Sequence, residues 1–479
     1  LIRYLIIKKI LFVPTYHQSL RALIPVIKIL ETKYSLYSKV LLRDSSKIDK
    51  KICKENNVDF ISLNKKNKAT KFTKNLQFEN NNSLVKKVKK IIETNSPVRE
   101  IYKLLFEAKN YFEVRRLIIK QIMTLIRIET PVAVVVLNEQ KDIDLVYISK
   151  KMNIPVIRLG WSLMGTEEYT AFFCKYLRSH STFRRVNKLE NILLELINPG
   201  IILKFENSNY TFNNLLESII IRIMGMPIPT ITARGKNVNL NLSSSEYDKN
   251  ILLKNGVNKN KILITGDPSN DESSKVLENR EKYNKQIRKL LKIRNDEIII
   301  TLASSGLSIN SRITQKQSKE IYHKLVETLL SINSRIKILI KPHPQEKQSE
   351  IDYLFPNNSR VKIITNFSIV TIALQSKLFL TEASSSAIHA IGLGLPVIMF
   401  DLCNHNLFSY NKLTNVAIKV YDYHFLKKQS ERMLFNEKER IKVIINQRKY
   451  INNFAILDGK CASNNAYAIY NYINNYSIS

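Results

Sequence analysis

The segment PVAVVVLN at 131–138 is a near-continuous β-branched run. Such a run suits a strand buried on both faces, the condition of a parallel sheet covered by helices on either side. It limits the possible folds more than any other feature of the chain, and it has company. IPVIRLG (154–160) is a second run of the same kind. KILFVPT (9–15) ends an apolar run at a turn, and QSLRALIPVIKIL behind it has helical periodicity. SKVLL and VDFISL follow, with a Lys-rich helix between them. This strand–helix–strand rhythm predicts parallel sheets with helices on both faces. Residues 62–96 are rich in Lys and Asn and read as a surface segment. A long helix is predicted over about 97–130, and residues 161–235 read as an insertion. NLNLSSSEYDKNILLKNGV and KILITGDP then give strand, helix and strand again.

The rhythm stops at 268–294, which is charged, poor in strand signals and reads as a linker with a helix. It restarts at EIIITLASSG (297–306) and continues through IKILIKPHP, VKIIT, KLFLTEASSS and LPVIMFD. The predicted class is α/β, with two doubly wound, Rossmann-type domains facing a cleft. Residues 1–267 form the first, 268–294 the linker and 295–455 the second, with 456–479 a terminal helix. Ligands in such sheets bind outside the carboxyl ends of the strands.

The chain has 479 residues, of which 75 are Lys or Arg and 41 Asp or Glu, a formal charge of +34. That charge favours anionic partners. Abundant Lys, Asn and Ile also fit an AT-rich genome, which accounts for part of it. The sequence has no RNP-like aromatic motif, zinc-finger spacing or basic heptad, so nucleic acid is not an expected partner. Cys53, Cys174, Cys403 and Cys461 form no CxxC pair, which fits free thiols in a reducing compartment and a cytoplasmic location. No apolar stretch reaches the roughly 18 residues of a spanning helix. LIRYLIIKKILFV is interrupted by Arg3, Lys8 and Lys9, lacks a small-residue cleavage site, and reads as an amphipathic lead-in to the first strand. The charge alone makes peripheral contact with an anionic membrane an expectation.

Three groups stand at predicted strand ends of the second half. In ILIKPHP, Pro342 and Pro344 fix the backbone around His343, so the imidazole is aimed and not left to wander. Lys341 precedes it. In TEASSSAIHAIGLGLPVI, a strand ends at Thr381 and Ser384, Ser385 and Ser386 open a helix. Hydroxyls and amides there suit phosphate. Serine is also a favoured N-cap, but a cap needs one serine and this segment has three. In LASSG, Ser305 and Gly306 let a ligand approach the backbone closely. Together these describe a pocket for a nucleotide mono- or diphosphate. Stabilising a departing phosphate is what a transferase needs, and such a pocket can act without a metal.

Four segments resemble the GT-B superfamily branch of CDP-glycerol glycerophosphotransferases and capsule sialyl- and Kdo-type transferases, with UDP-N-acetylglucosamine 2-epimerases more distant. These are SSSEYDKNILLKNGVNKNKILITGDPSND (243–271), ILIKPHP, LFLTEASSSAIHAIGLGLPVIMFD and LDGKCAS (457–463). The resemblance implies a GT-B-like fold whose C-terminal helix returns to the first domain. It implies that His343, with Lys341 and Pro344, contacts the donor nucleotide and that the serines hold donor phosphate. Glu382 stands where the family has an aspartate. The expected donor is nucleotide-activated, CMP- or CDP-linked, with no cofactor and no metal. The expected acceptor is a hydroxyl of a surface glycan or lipid-linked glycan, at the inner face of a membrane.

Two departures bear on catalysis. Members of the branch often carry His-Gly after the strand equivalent to IPVIRL, where this chain has Gly160-Trp161. Sialyltransferase relatives have an acidic-acidic-Gly base motif, where this chain has Glu167 and Glu168 without the glycine. His17, between the first strand and its helix, is the first candidate for the base, with a near-neutral pKa suited to deprotonating a hydroxyl. Glu139, Glu167 and Glu168 are rivals. DID at 142–144 matches a metal-binding DxD but precedes an apolar stretch, so Asp142 and Asp144 read as acids opening a helix. His389 reads as a packed helix residue, and His180, His323, His405 and His424 show no metal spacing. An epimerase in the same fold, and a silent homologue that binds nucleotide or glycan, remain alternatives.

Overall fold

The computed structural model describes residues 8–15, 17–43, 47–63, 96–161, 170, 184–211, 213–230, 234–304, 306, 313–343, 346, 355, 358–404 and 407–476. The first sheet begins with β1 (Lys9–Val13), β2 (Tyr37–Leu42), β3 (Asp59–Ser62), β4 (Ala133–Val136) and β5 (Val156–Leu159). The helix His17–Tyr34 joins β1 to β2, and Lys47–Glu55 joins β2 to β3. All four residues of β4 and of β5 are buried, as runs covered on both faces require. The long helix Ser96–Glu129 matches the reading of 97–130.

The predicted insertion adds a small sheet and two helices that share a core with Ile143 of the first domain. β6 (Arg184–Arg185), β7 (Leu203–Phe205) and β8 (Ser208–Thr211) form an antiparallel sheet in the order β6-β8-β7. The helices Lys188–Ile197 and Leu215–Ile223 pack against each other beside it. Val186, Leu194, Ile201, Ile221 and Met226 belong to that core. β9 (Leu240–Ser243) and β10 (Ile262–Ile264) then return to the first sheet. That sheet is parallel throughout, in the order β10-β9-β5-β4-β1-β2-β3.

The second sheet comprises β11 (Ile298–Ala303), β12 (Ile336–Lys341), β13 (Val361–Ile363), β14 (Leu378–Thr381), β15 (Val397–Phe400) and β16 (Ile418–Val420). It too is parallel, in the order β13-β12-β11-β14-β15-β16. The chain reverses its direction of growth between β1 and β4 in the first sheet and between β11 and β14 in the second. Those are the two switch points, where a doubly wound fold opens a crevice.

The segment read as a linker with a helix holds two helices, Asp271–Glu278 and Arg280–Leu290. They are packed, not tethering: Val276 joins one apolar cluster of the second domain, and Ile287 and Leu291 join another. The terminal helix Cys461–Tyr476 lies against His17–Tyr34, with Ala466, Ile469 and Ile473 inside the first domain's core. Asp271 anchors its first turn by accepting the N–H groups of Cys461 (2.9 Å) and Ala462 (2.7 Å). Asp271, Asp458 and Cys461 come together there, but the Asp271 carboxylate is occupied by the cap. Cys53, Cys403 and Cys461 are free thiols. Among the described residues no helix is long and apolar enough to cross a membrane.

Candidate active site

The site is built on a level set of strand ends. Ala303, the last residue of β11, is in register with Lys341 of β12 on one side and Thr381 of β14 on the other. The loops after these three strands therefore start at one height beside the second switch point. Lys341 closes β12, and His343, Gly306 and Ser384–Ser386 belong to these loops. Thr381 ties the strand ends together by donating from Oγ1 to the Ala303 carbonyl (3.1 Å).

The turn after β12 is held by a residue that the sequence reading passed over. Glu346 accepts the His343 N–H on Oε2 (2.6 Å) and the Ser304 hydroxyl on Oε1 (2.8 Å). Glu346 N–H donates back to the His343 carbonyl (2.9 Å). A side-chain acid three residues after His343, reaching back to its N–H, has the geometry of a helix capping acid. That spacing was the available signal. Ser304 Oγ lies 2.8 Å from the Tyr322 hydroxyl and accepts the Gly306 N–H (3.2 Å). Its one proton is directed at Glu346, so Tyr322 is the donor in that pair. Burial, followed by the charges of Glu382 and Glu346, pushes the Tyr322 phenol far up, which keeps it protonated.

His343 is half-buried, and burial holds its imidazole below the ordinary range. Lys341 donates its ammonium to the Thr365 carbonyl (2.7 Å). Burial lowers its pKa, and the positive charge of Arg21 lowers it further. Arg21 belongs to the helix His17–Tyr34 of the first domain, so the two domains approach each other here with like charges. An anion between them would relieve that repulsion.

Glu382 is 3% exposed and sits below the serine loop, near Tyr322. The loop folds on itself: Ser386 Oγ donates to Ser384 Oγ (3.1 Å), and Ser384 N–H to the Glu382 carbonyl (2.6 Å). Ser385 precedes the helix Ser386–Gly392, makes no side-chain cap bond and is exposed. His389 packs at 3.5 Å from Ser273 Oγ, as a helix residue under the loop. Ser305, Pro344, Glu167, Glu168, His180 and His405 lie outside the described residues.

On the first-domain side, His17 is the first residue of its helix, directly beyond β1 at the first switch point. Arg21 is four residues on, and residues at i and i+4 share a helix face. The face that brings Arg21 towards Lys341 therefore carries His17 as well.

Glu139 has a different surrounding. It is 1% exposed and accepts the Gly235 N–H, and Arg158 of β5 lies 3.9 Å away. Arg158 also faces Asp248 (3.7 Å), which accepts from Ser243 Oγ (3.0 Å) and Ser244 N–H (3.1 Å). Burial pushes the Glu139 carboxyl up against the pull of Arg158. This is a buried ion cluster beneath the strand ends, and Glu139 is one of its supports. Gly160 is a packing position beside it. A Cβ there would stand 2.7 Å from Ser244 N and 2.8 Å from the Leu242 carbonyl. Asp142 precedes the helix Ile143–Lys151 and Asp144 lies in its first turn, paired with Arg43 (3.1 Å) and Arg115 (2.9 Å). Both act as helix-opening acids.

Residues 225–414 match the family model described as CDP-Glycerol:Poly(glycerophosphate) glycerophosphotransferase. The match includes Lys341, His343, Glu346, Glu382 and Ser384–Ser386 and excludes His17. No curated protein matches the chain. Among solved structures, the chain is similar to a UDP-GlcNAc 2-epimerase from Neisseria meningitidis bound to UDP-GlcNAc, with a TM-score of 0.54, 14% identity, and 96% of this chain and 99% of the other covered. It is also similar to a variant of the wall teichoic acid polymerase TagF (TM-score 0.54, 12% identity, 99% and 90% covered). The calicheamicin glycosyltransferase CalG4 aligns with a TM-score of 0.52, 9% identity, and 98% of both chains covered. At such identities the likeness is one of fold. The chain has the GT-B fold, and its residues 225–414 are similar to the model of the CDP-glycerol:poly(glycerophosphate) glycerophosphotransferase family.

Proposed function

We propose that this glycosyltransferase-like protein moves a sugar or polyol phosphate from a CMP- or CDP-linked donor to a hydroxyl of a glycan or lipid-linked acceptor. The observation that carries this reading is the register of Ala303 with both Lys341 and Thr381. It gathers a cation, an imidazole, a buried glycine with positive φ and three hydroxyls within the segment that matches the family model. In this reading Lys341, His343, Gly306 and Ser384–Ser386 hold the donor phosphates, helped by Ser305 and Pro344. Glu382 supports the serine loop from below. Arg21 adds a second cation from the first domain.

The acceptor hydroxyl attacks the donor carbon or phosphorus atom. The bond to the nucleotide phosphate breaks, and the electron pair leaves on a phosphate oxygen. Lys341, Arg21 and the hydroxyls offset that charge in place of a metal ion. His17 takes the acceptor proton, with Glu168 as the alternative base. Work on a lipid-linked acceptor would place the enzyme at the cytoplasmic face of a membrane.

The epimerase reading calls for several carboxylates open to the cleft. Glu139 and Asp248, the acids nearest the first domain's strand ends, are instead committed to Arg158. The test is a panel of CMP- and CDP-linked donors with and without lipid-linked acceptor, following nucleotide release. Acceptor-dependent release that falls at least about a hundredfold in His17→Ala and His343→Ala supports the reading. Release of no nucleotide from any donor favours a silent binding homologue. Epimerised donor without release favours the epimerase.

A further inference from the structure

The hydrogen bonds that hold the KPHP turn do not stop at the strand ends. They run on into the core of the second domain. Tyr322 lies in the helix Gln315–Leu330, is 4% exposed, and belongs to the same apolar cluster as Leu325, Ile338, Leu380 and Phe400. Packing of the ring in that cluster needs no hydroxyl. A buried phenol must also find a partner for its O–H or bear the cost of leaving it unpaired. The partner here is Ser304, the first residue beyond β11.

Ser304 stands where two loops of the candidate site meet. Its N–H donates to the Lys341 carbonyl (2.9 Å), which carries the pairing of β11 with β12 one residue further. Its hydroxyl oxygen accepts from Tyr322 (2.8 Å) and from the Gly306 N–H (3.2 Å). Its one proton goes to Glu346 Oε1 (2.8 Å), and Glu346 Oε2 accepts the His343 N–H (2.6 Å). A serine hydroxyl offers one donor and two acceptor positions, so all three are filled. With the phenol donating, Ser304 has one way to point its proton. Without it a lone pair stands open and the rotor gains other settings. The hydroxyls of Tyr322 and Ser304 donate in one direction, towards the carboxylate, so each bond polarises and strengthens the next. One oxygen atom thus sets how the Gly306 turn after β11 and the His343 turn after β12 stand relative to each other.

We propose that Tyr322 is a positioning residue of the donor site. Acting through Ser304 and Glu346, its hydroxyl holds the Gly306 and His343 turns in the arrangement that receives a nucleotide phosphate. Tyr322 touches no substrate in this account. The inference rests on the reading of these loops as the donor site.

The test uses Tyr322→Phe, which deletes the hydroxyl and keeps the ring in the core. Amide hydrogen exchange is followed on the peptides that carry residues 304–306 and 343–346, with β12 as the internal reference. CDP affinity is measured by calorimetry for wild type, Tyr322→Phe, Glu346→Gln and the double variant. In Tyr322→Phe, exchange in the two turns should rise at least about tenfold while β12 stays protected. CDP affinity should fall about three- to tenfold. The losses from Tyr322→Phe and Glu346→Gln should sum to more than the double variant loses, because both break one chain. Ser304→Ala removes the node without touching the core and should reproduce the faster exchange. The proposal is overturned if exchange in the turns is unchanged in Tyr322→Phe and in Ser304→Ala. It is equally overturned if β12 loses protection to the same extent, which marks a general loss of stability, or if the affinity losses are additive. CDP that fails to bind wild type would sink the donor-site reading instead, and the exchange data alone then decide whether Tyr322 positions the turns.

Discussion

Arg21, one turn into a first-domain helix, stands near enough to Lys341, at the end of a second-domain strand, for its charge to lower the lysine's pKa. Two cations from different domains therefore lie within reach of each other's charge at the end of β12. If a donor phosphate lies between them, Arg21→Ala removes one charge-assisted contact. Donor affinity should then fall by about 1.5 kcal/mol, roughly tenfold, while the melting temperature without ligand stays level or rises. Titration calorimetry with the nucleotide checks this. Unchanged affinity would place the phosphates elsewhere.

Glu346 joins Ser304 to His343 and so fixes how the imidazole is presented. Glu346→Ala should weaken nucleotide binding about tenfold by freeing the turn, and Glu346→Gln, which keeps an acceptor, should recover part of the loss. A merely structural role would lower stability in both variants without this graded effect on binding. Binding curves and melts on the same samples separate the two.

The burial of His343 has a pH consequence. Its folded pKa is depressed, so the ring takes a proton less readily in the folded protein than in the unfolded chain. A group of this kind adds stability above its unfolded pKa of about 6.5, and that stability is lost as pH falls through the folded value. Between about pH 7 and pH 5 wild type should therefore lose more stability than His343→Asn. Melts across this range test it, and parallel slopes would refute it.

Arg158 is buried at 7% exposure between Glu139 and Asp248. Arg158→Met should leave Glu139 and Asp248 with Arg234 as their remaining buried cation and cost about 3–5 kcal/mol. Adding Glu139→Gln should recover a measurable part. Urea unfolding of the four proteins gives the coupling, and simple additivity would show that the cluster does not act as a unit.

Much of this architecture is legible from the chain alone, because a buried parallel strand needs an unbroken apolar run. β4 is such a run, and β5, β11 and β14 depart from it by one polar residue each. The Lys341–His343 turn and the serine loop are visible because proline and clustered serine act locally. What stays hidden depends on distance along the chain. Arg158 lies inside a run that reads as apolar, and its partners are 19 residues before it and 90 after it. Asp271 finds its helix 190 residues later. The antiparallel strands of the insertion are only two to four residues long, too short to show alternation. Glu139 reads as a cleft acid from its position after a strand, and only the fold reveals that Gly235 and Arg158 enclose it.

The most direct test of the central claim is nucleotide binding by thermal shift, with CMP, CDP, UMP, UDP and GDP, on wild type and His343→Ala. A ligand held by the native state raises the melting temperature by mass action. The account predicts that a cytidine nucleotide stabilises wild type and that His343→Ala loses most of that shift. Stabilisation that is equal in both proteins, or absent with every nucleotide, would contradict it.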